Sequence, residues 1–207
     1  MIVECLPVGP LQANCYIVGC EKSGSCAVID PGGDAEHILA RIRSLNLKVE
    51  AIINTHGHID HIAANNKIKD ATGAPILVSE KDAKMLTSAA ANLSLWGGRA
   101  LSSYPADRTL KEGDIIKVGE VELKVLETPG HTPGGISLFA EEVVFTGDTL
   151  FAGSIGRTDF PGGSFRDIIK SIKEKLLPLG DNIRVLPGHG PESTIGEERV
   201  SNPFLVG

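Results

Sequence analysis

Aromatic side chains are scarce, with one Trp, two Tyr and six Phe in 207 residues. A ring that reaches a pocket is therefore a specific feature. Long apolar runs are missing too: nothing approaches the roughly 18 residues of a membrane-spanning helix, and no membrane partner is expected. Residues 1–18 carry no basic segment and are interrupted by Pro7, Gly9 and Pro10, so they read as strand and turn instead of a secretory leader. Cysteine is limited to Cys5, Cys15, Cys20 and Cys26, with no C-x-x-C pair. Such a set marks neither a disulfide framework nor a thiolate metal site, and the chain reads as a reduced, cytoplasmic protein whose thiols act as small apolar strand residues. Positive charge is not gathered anywhere: 20 bases against 26 acids leave a net charge of −6, and the bases form no stripe. Nucleic acid is accordingly not an expected partner.

What is present is a globular composition, 42% hydrophobic and 22% charged with 24 Gly and 12 Pro. At about 150 residues per domain, residues 1–207 form a single domain, and roughly 70% of the unfolded surface can be buried at this length. β-rich runs open the chain (2–8, 15–19, 26–30). Pro31, Gly32 and Gly33 break the third run, and Asp34 is placed to N-cap a helix with Ile38, Leu39, Ile42 and Leu45 on its apolar face. Strand 51–54, helix 60–71 closed by Gly73, and strand 75–79 follow. The segment 80–108 breaks this alternation with a helix-prone stretch to Asn92, capped by Ser79, then Trp96, Gly97, Gly98 and Tyr104; it reads as a helical lid or insertion. Strands resume at 115–118, 121–127, 136–139 and 143–146. A helix from Ser164 to Leu177 with Asp167 as its capping partner, a strand 183–186, and a short helix capped by Thr194 with Glu197 complete the chain. This order argues α/β layers.

The most informative stretch is Thr55-His56-Gly57-His58-Ile59-Asp60-His61, three imidazoles and a carboxylate between a strand and a helix. Packing explains such a cluster poorly, because adjacent imidazoles repel when protonated and lose hydration when neutral. His131 and His189 sit in Gly/Pro turns directly after strands, and so does Asp148 in Thr146-Gly147-Asp148-Thr149. Four strands thus deliver donors at their C-terminal ends, where residues distant in sequence can converge. The sixth histidine, His37, falls near a helix start and reads as ordinary surface. Five His and two Asp match two ions with three or four protein ligands each, if one carboxylate bridges and water keeps a position.

H-x-H-x-D-H, the later single His, the G-D Asp and the final G-H-G together resemble the metallo-β-lactamase superfamily over essentially the whole chain. Gly156-Arg157-Thr158-Asp159, residues 129–134, and the terminal Glu198-Arg199 with Asn202-Pro203-Phe204 look like the short bacterial form of glyoxalase II-like hydroxyacylglutathione hydrolases. The resemblance implies a four-layer αβ/βα sandwich, two mixed sheets flanked by helices, with the site at one edge. It implies one ion on His56, His58 and His131, a second on Asp60, His61 and His189, and Asp148 bridging, with Asp60 and Asp148 as the catalytic carboxylates. Zinc is the first choice of divalent metal, and iron and manganese also suit N/O donors. The implied activity is hydrolysis of a small anionic thioester, S-lactoylglutathione or a related acyl thioester, by metal-bound hydroxide.

Two divalent ions, two carboxylates and one hydroxide leave a net charge of about +1, which attracts anions. No strong general acid lies near the motifs, and a thiolate needs none because its conjugate acid has a pKa near 8.5. Glyoxalase II proper has a further C-terminal helical region and commonly a Tyr soon after its last ligand His. Here 18 residues follow His189, starting Gly190-Pro191-Glu192, so weak dependence on glutathione is expected. Arg157 either holds a substrate carboxylate or pairs with Asp159. Phe151 and Phe160, with Trp96 and Tyr104, either line the pocket or belong to the core. Asp30 either supports the metal shell or caps its own turn. Rival readings are a single-iron persulfide dioxygenase, which shares the G-R-T-D segment, a lactonase or other ester hydrolase of the superfamily, and a non-catalytic metal-binding member.

Overall fold

Period-two alternation builds two six-stranded sheets in the computed structural model, which describes residues 1–206. The first sheet takes its strands in chain order: β1 (Ile2–Val8), β2 (Ala13–Cys20), β3 (Ser25–Ile29), β4 (Lys48–Ile53), β5 (Ile76–Ser79) and β6 (Arg108–Leu110). β1 to β3 form an antiparallel meander, and β3 to β6 run parallel. Next come β7 (Ile115–Val118), β8 (Val121–Glu127), β9 (Ile136–Ala140) and β10 (Val143–Gly147), then a small hairpin of β11 (Leu150–Phe151) and β12 (Ser154–Ile155). β13 (Arg184–Pro187) and β14 (Ser193–Thr194) complete the second sheet, whose order is β14-β13-β10-β9-β8-β7 with β10 and β13 parallel.

Every residue of β2 is buried, and its alternate side chains serve different layers. Tyr16 and Val18 face the space between the sheets, where they join Ile29, Ile53, Leu123 and Phe145. Cys15 and Ile17 face outward, toward α1 (Ala35–Ser44) and the pair α2 (Ile59–Ile62) and α3 (Asn65–Thr72), against Ile38, Ile42 and Ile68. The short α4 (Ala83–Thr87) follows β5. Beyond the second sheet, Val144 and Val185 meet Ile168, Ile172 and Ile195 from α5 (Phe165–Ser171), its continuation to residue 179, and α6 (Ile195–Ser201). The order helix, sheet, sheet, helix is the expected four-layer αβ/βα sandwich.

Local differences from the sequence reading have identifiable causes. Asp34 does not cap α1; its backbone is left-handed (φ 47°), and its carboxylate accepts from the Gly9 N–H at 2.8 Å, bracing the β1–β2 turn. The helix expected over 60–71 is two helices. The Asn54 amide donates to the His61 carbonyl at 3.1 Å, and the Ala64 N–H goes to Pro31 O at 2.9 Å, so tertiary partners take groups that a continuous helix would use. The helix expected to Asn92 shrinks to α4, and turns follow it. Asp107 N donates to Ile76 O as the chain returns, and Arg108–Leu110 adds an edge strand that the sequence reading missed. Ser164 does cap α5 at Asp167 N, but Asp167 turns to Arg166 instead of closing a box. The box of Thr194 and Glu197 on α6 is complete.

Candidate metal centre

Seven donors meet at the ends of four strands. His56 and His58 lie on the loop after β4, Asp60 and His61 on α2, His131 after β8, Asp148 after β10 and His189 after β13. His56, His58 and His131 form one group whose donor atoms lie within 4.8 Å of one another; Asp60, His61 and His189 form another. Asp148 stands between them, with Oδ2 3.5 Å from His131 Nε2 and 3.8 Å from His189 Nε2, and Oδ1 3.4 Å from His61 Nε2. On the second group, Asp60 Oδ2 is 3.2 Å from His189 Nε2 and 3.5 Å from His61 Nε2. His58 presents Nδ1, 2.9 Å from His131 Nε2.

Surrounding groups aim these rings. Asp30, buried and left-handed (φ 50°), accepts from Thr55 N at 2.7 Å and Thr55 Oγ1 at 2.6 Å, and its Oδ2 is 3.0 Å from His61 Nδ1. His61 therefore turns Nε2 inward, and of the two roles open to Asp30 the ring support is seen. The Arg157 carbonyl takes the Nδ1 side of His131 at 2.7 Å. The turn carrying His189 is gripped by the other sheet: Asn14 Nδ2 donates to Pro187 O at 3.0 Å and Gly190 O at 2.9 Å, and the Tyr16 hydroxyl donates to Pro187 O at 2.7 Å.

Charge follows from burial and from neighbours. Burial, then the surrounding imidazoles, hold His56 well below the usual histidine range; burial and His131 bring His58 down to about 3. Burial also works against a charged His61, but Asp148, Asp60 and Asp30 outweigh it and push that imidazole up to about 10. Asp60, despite burial, is held below the ordinary carboxylate range by His61 and His189.

The donor set passes a test for divalent metals. His56 Nε2, His61 Nε2 and Asp148 Oδ1 are buried and have no hydrogen-bond partner among the described residues. Orphaned buried groups cost about 1–3 kcal/mol each, and ions between the two groups would satisfy all three. Imidazole and carboxylate donors suit divalent zinc, iron or manganese.

Five of the seven donors, His58, Asp60, His131, Asp148 and His189, line the floor of a cavity of about 760 Å³. Phe151, Phe160 and Trp96 line it, whereas Tyr104 does not. The Phe160 ring stands edge-on to His58, with centroids 5.6 Å apart, and to Trp96 at the same distance. Arg157 lines the cavity too, but its guanidinium is tied to Asp159 at 2.7 and 2.9 Å and lies 4.2 Å from the Phe160 ring centroid, so its loop-bracing role is the one observed. His37 is exposed on α1, as anticipated.

Asp82 escaped the sequence reading. It is fully buried and joins the two loops that carry His58 and His131, accepting from Gly57 N at 3.2 Å, Thr132 Oγ1 at 2.7 Å and Gly134 N at 2.7 Å. Its signal was positional: like the candidate donors, it lies beyond the C-terminal end of a strand, here β5. Asp82→Ala strands these donors and is expected to lower unfolding free energy by about 2–4 kcal/mol, at about 1–3 per unpaired buried group with some rehydration. A urea midpoint equal to the parent's would contradict this.

Hydroxyacylglutathione hydrolase GloC of Haemophilus influenzae is 42% identical over 209 residues, spanning 99% of this chain and 98% of that protein. The crystal structure of BLEG-1 B3 metallo-beta-lactamase superposes with a TM-score of 0.96 at 38% identity, covering 100% of both chains. TTHA1623, solved in a di-iron-bound form, gives a TM-score of 0.87 at 37% identity over 98% of this chain and 100% of that one. The metallo-beta-lactamase superfamily model matches residues 8–189, and the chain belongs to that superfamily.

Proposed function

We propose that the chain is a dinuclear metal-dependent hydrolase of acyl thioesters, of which S-lactoylglutathione is one. His56, His58 and His131 would hold one ion and Asp60, His61 and His189 the other, with Asp148 placed to serve both. When bound, such ions supply Lewis acidity and bring the ionisation of water from about 15.7 to about 7. The observation that carries the thioester reading is the make-up of the cavity beyond the five donors that line it. Its remaining lining is apolar apart from Ser94, Ser154, Arg99 and Arg157, and hydroxyl and guanidinium side chains are not general acids at neutral pH. An amide's leaving nitrogen needs a proton donor, whereas a thiolate, with a conjugate acid pKa near 8.5, departs without one.

The chain's own residues prepare the site for that reaction. Asp30 and the Arg157 carbonyl fix the orientation of His61 and His131. Asp60 Oδ2 faces the same two rings that would share its ion, 3.2 Å from His189 Nε2 and 3.5 Å from His61 Nε2. Phe160 and Trp96 exclude bulk water from the His58 side, and on this reading residues 80–108 form a cover, since Leu93, Ser94 and Leu101 contribute to the wall. Support for this reading also comes from the similarity to GloC. A cytoplasmic setting suits four unpaired cysteines.

Elemental analysis of carefully purified protein is expected to approach two ions per chain, and that protein is expected to hydrolyse S-lactoylglutathione. Full activity with a single ion overturns the dinuclear reading. Oxygen consumption with glutathione persulfide while thioesters stay intact replaces hydrolysis by dioxygenation. β-Lactams belong in the same panel because of the likeness to a B3 enzyme, and preferential cleavage of their amide overturns the argument from leaving groups.

A further inference from the structure

The cavity walls carry information about the substrate that the donor set does not. Leu93, Leu101, Ile59, Ile155, Phe151 and Trp96 surround the floor with hydrocarbon. Two large side chains at this site stay open to solvent, Trp96 at 67% and Leu11 at 64% relative exposure. Apolar surface left uncovered beside a concave site marks a place that a ligand covers. Two cations line the same space, and they are not equivalent. Arg157 is paired with Asp159 and lies against Phe160. Arg99 is exposed, and its guanidinium makes no ion pair or hydrogen bond among the described residues.

We infer that this cavity takes a thioester with an apolar acyl group of medium length and one anionic end, the anion meeting Arg99; the inference rests on the thioester reading above and narrows its substrate class. The glutathione portion of S-lactoylglutathione fits these walls poorly. It has two carboxylates, an ammonium and two amides, and most of these would lose water against Leu93, Leu101 and Ile155 with no partner in return. A hydrocarbon chain loses nothing there, and a single carboxylate matches the single uncommitted cation. The reaction balances as ordinary hydrolysis: water adds its oxygen to the acyl carbon, the C–S bond breaks, one proton of the water goes to the sulfur and the other to solvent, and the products are a carboxylate and a thiol.

Two substrate series separate the apolar part from the charge. S-acyl 3-mercaptopropionates carry one carboxylate, and S-acyl N-acetylcysteamines carry none; in each, the acyl group runs from acetyl to octanoyl. On metal-loaded protein, kcat/KM is expected to climb by up to about 4-fold per methylene, the equivalent of about 0.8 kcal/mol, and by at least about 30-fold over the series. Arg99→Gln is expected to cost the mercaptopropionate series about 10-fold, mainly in KM, as loss of a charge-assisted contact does, and the neutral series clearly less. A second readout needs no turnover. Trp96 is the chain's one tryptophan and lines the cavity, so its emission should shift when the thioether S-octyl 3-mercaptopropionate binds, and this binding should weaken in the Arg99→Gln protein.

A flat acyl series, or S-lactoylglutathione outperforming the octanoyl compounds, overturns the inference while leaving thioester hydrolysis standing. Binding of the octyl thioether with no thioester cleaved by zinc-, iron- or manganese-loaded protein supports the cavity assignment and overturns the hydrolase reading. Equal losses in both series with Arg99→Gln overturn the anionic anchor.

Discussion

Asp148→Ala should lose both ions and at least about 100-fold in turnover, beyond the 10–100-fold that partners outside the ligand set commonly cost. Its two oxygens reach both groups, Oδ1 toward His61 and Oδ2 toward His131 and His189. Removing it deprives each ion of a donor and takes away a negative charge that offsets the repulsion between them. The oxygen lost on the His61 side is one of the buried atoms with no hydrogen-bond partner among the described residues. Asp148→Asn is the sharper version, because it preserves shape and removes only the charge. Metal content by elemental analysis, read together with S-lactoylglutathione turnover, checks both variants. An alanine variant that keeps two ions and near-parental turnover would show that the carboxylate does not join the two groups.

Gly32→Ala should be nearly as damaging, for a reason unrelated to charge. A Cβ at Gly32 would lie 1.6 Å from the Asp60 carbonyl oxygen and 2.6 Å from its carbon. That neighbour is backbone, so no rotamer change relieves the clash; either residues 30–33 or the start of α2 must shift. Each alternative displaces a donor, since Asp30 supports His61 and α2 carries Asp60 and His61 themselves. Overpacking of this kind costs about 1–3 kcal/mol and sometimes more; we expect about 3 kcal/mol, with reduced occupancy of the second group. Gly97→Ala is the matched control, because nothing lies within 4 Å of a Cβ there and its φ is not positive. Urea unfolding of the two variants should differ by at least about 2 kcal/mol, and equal midpoints would refute the argument.

The donors were legible in the sequence because their chemistry is local. His56, His58, Asp60 and His61 crowd one loop and one helical turn, while His131, Asp148 and His189 each follow a strand within a Gly or Gly/Pro turn, where a side chain has little reason to be buried except for function. The β-rich run 15–19 within β2 was equally plain, and so was the box of Thr194 and Glu197. What stayed hidden depends on partners far away in sequence. The break after α2 is caused by Asn54 and Pro31. Asp34 stands at the N-cap position, but its carboxylate is drawn off because Gly9, 25 residues earlier, offers its N–H. The edge strand 108–110 is short and has one buried side chain, too little to signal a strand. Asp82 belongs to no motif in the sequence, and only the folded chain brings Gly57 and Gly134 to it.

The two sheets are consecutive in the chain, β1 to β6 and then β7 to β14 without the β11–β12 hairpin, so each can order largely through contacts within its own half. Donors 56 to 61 belong to the first half, and 131, 148 and 189 to the second, with the turn around His189 clasped by Asn14 and Tyr16 across the divide. The centre therefore does not exist until the halves have docked, and loop closure over such separations precedes any gain from the ions. Bound metal should act as a latch on an assembled molecule: it should slow unfolding far more than it speeds refolding, as interactions absent from the transition state do. Stopped-flow unfolding with and without a chelator would reveal this in the unfolding limb, and an effect confined to the refolding limb would mean that the ions organise the halves before they meet.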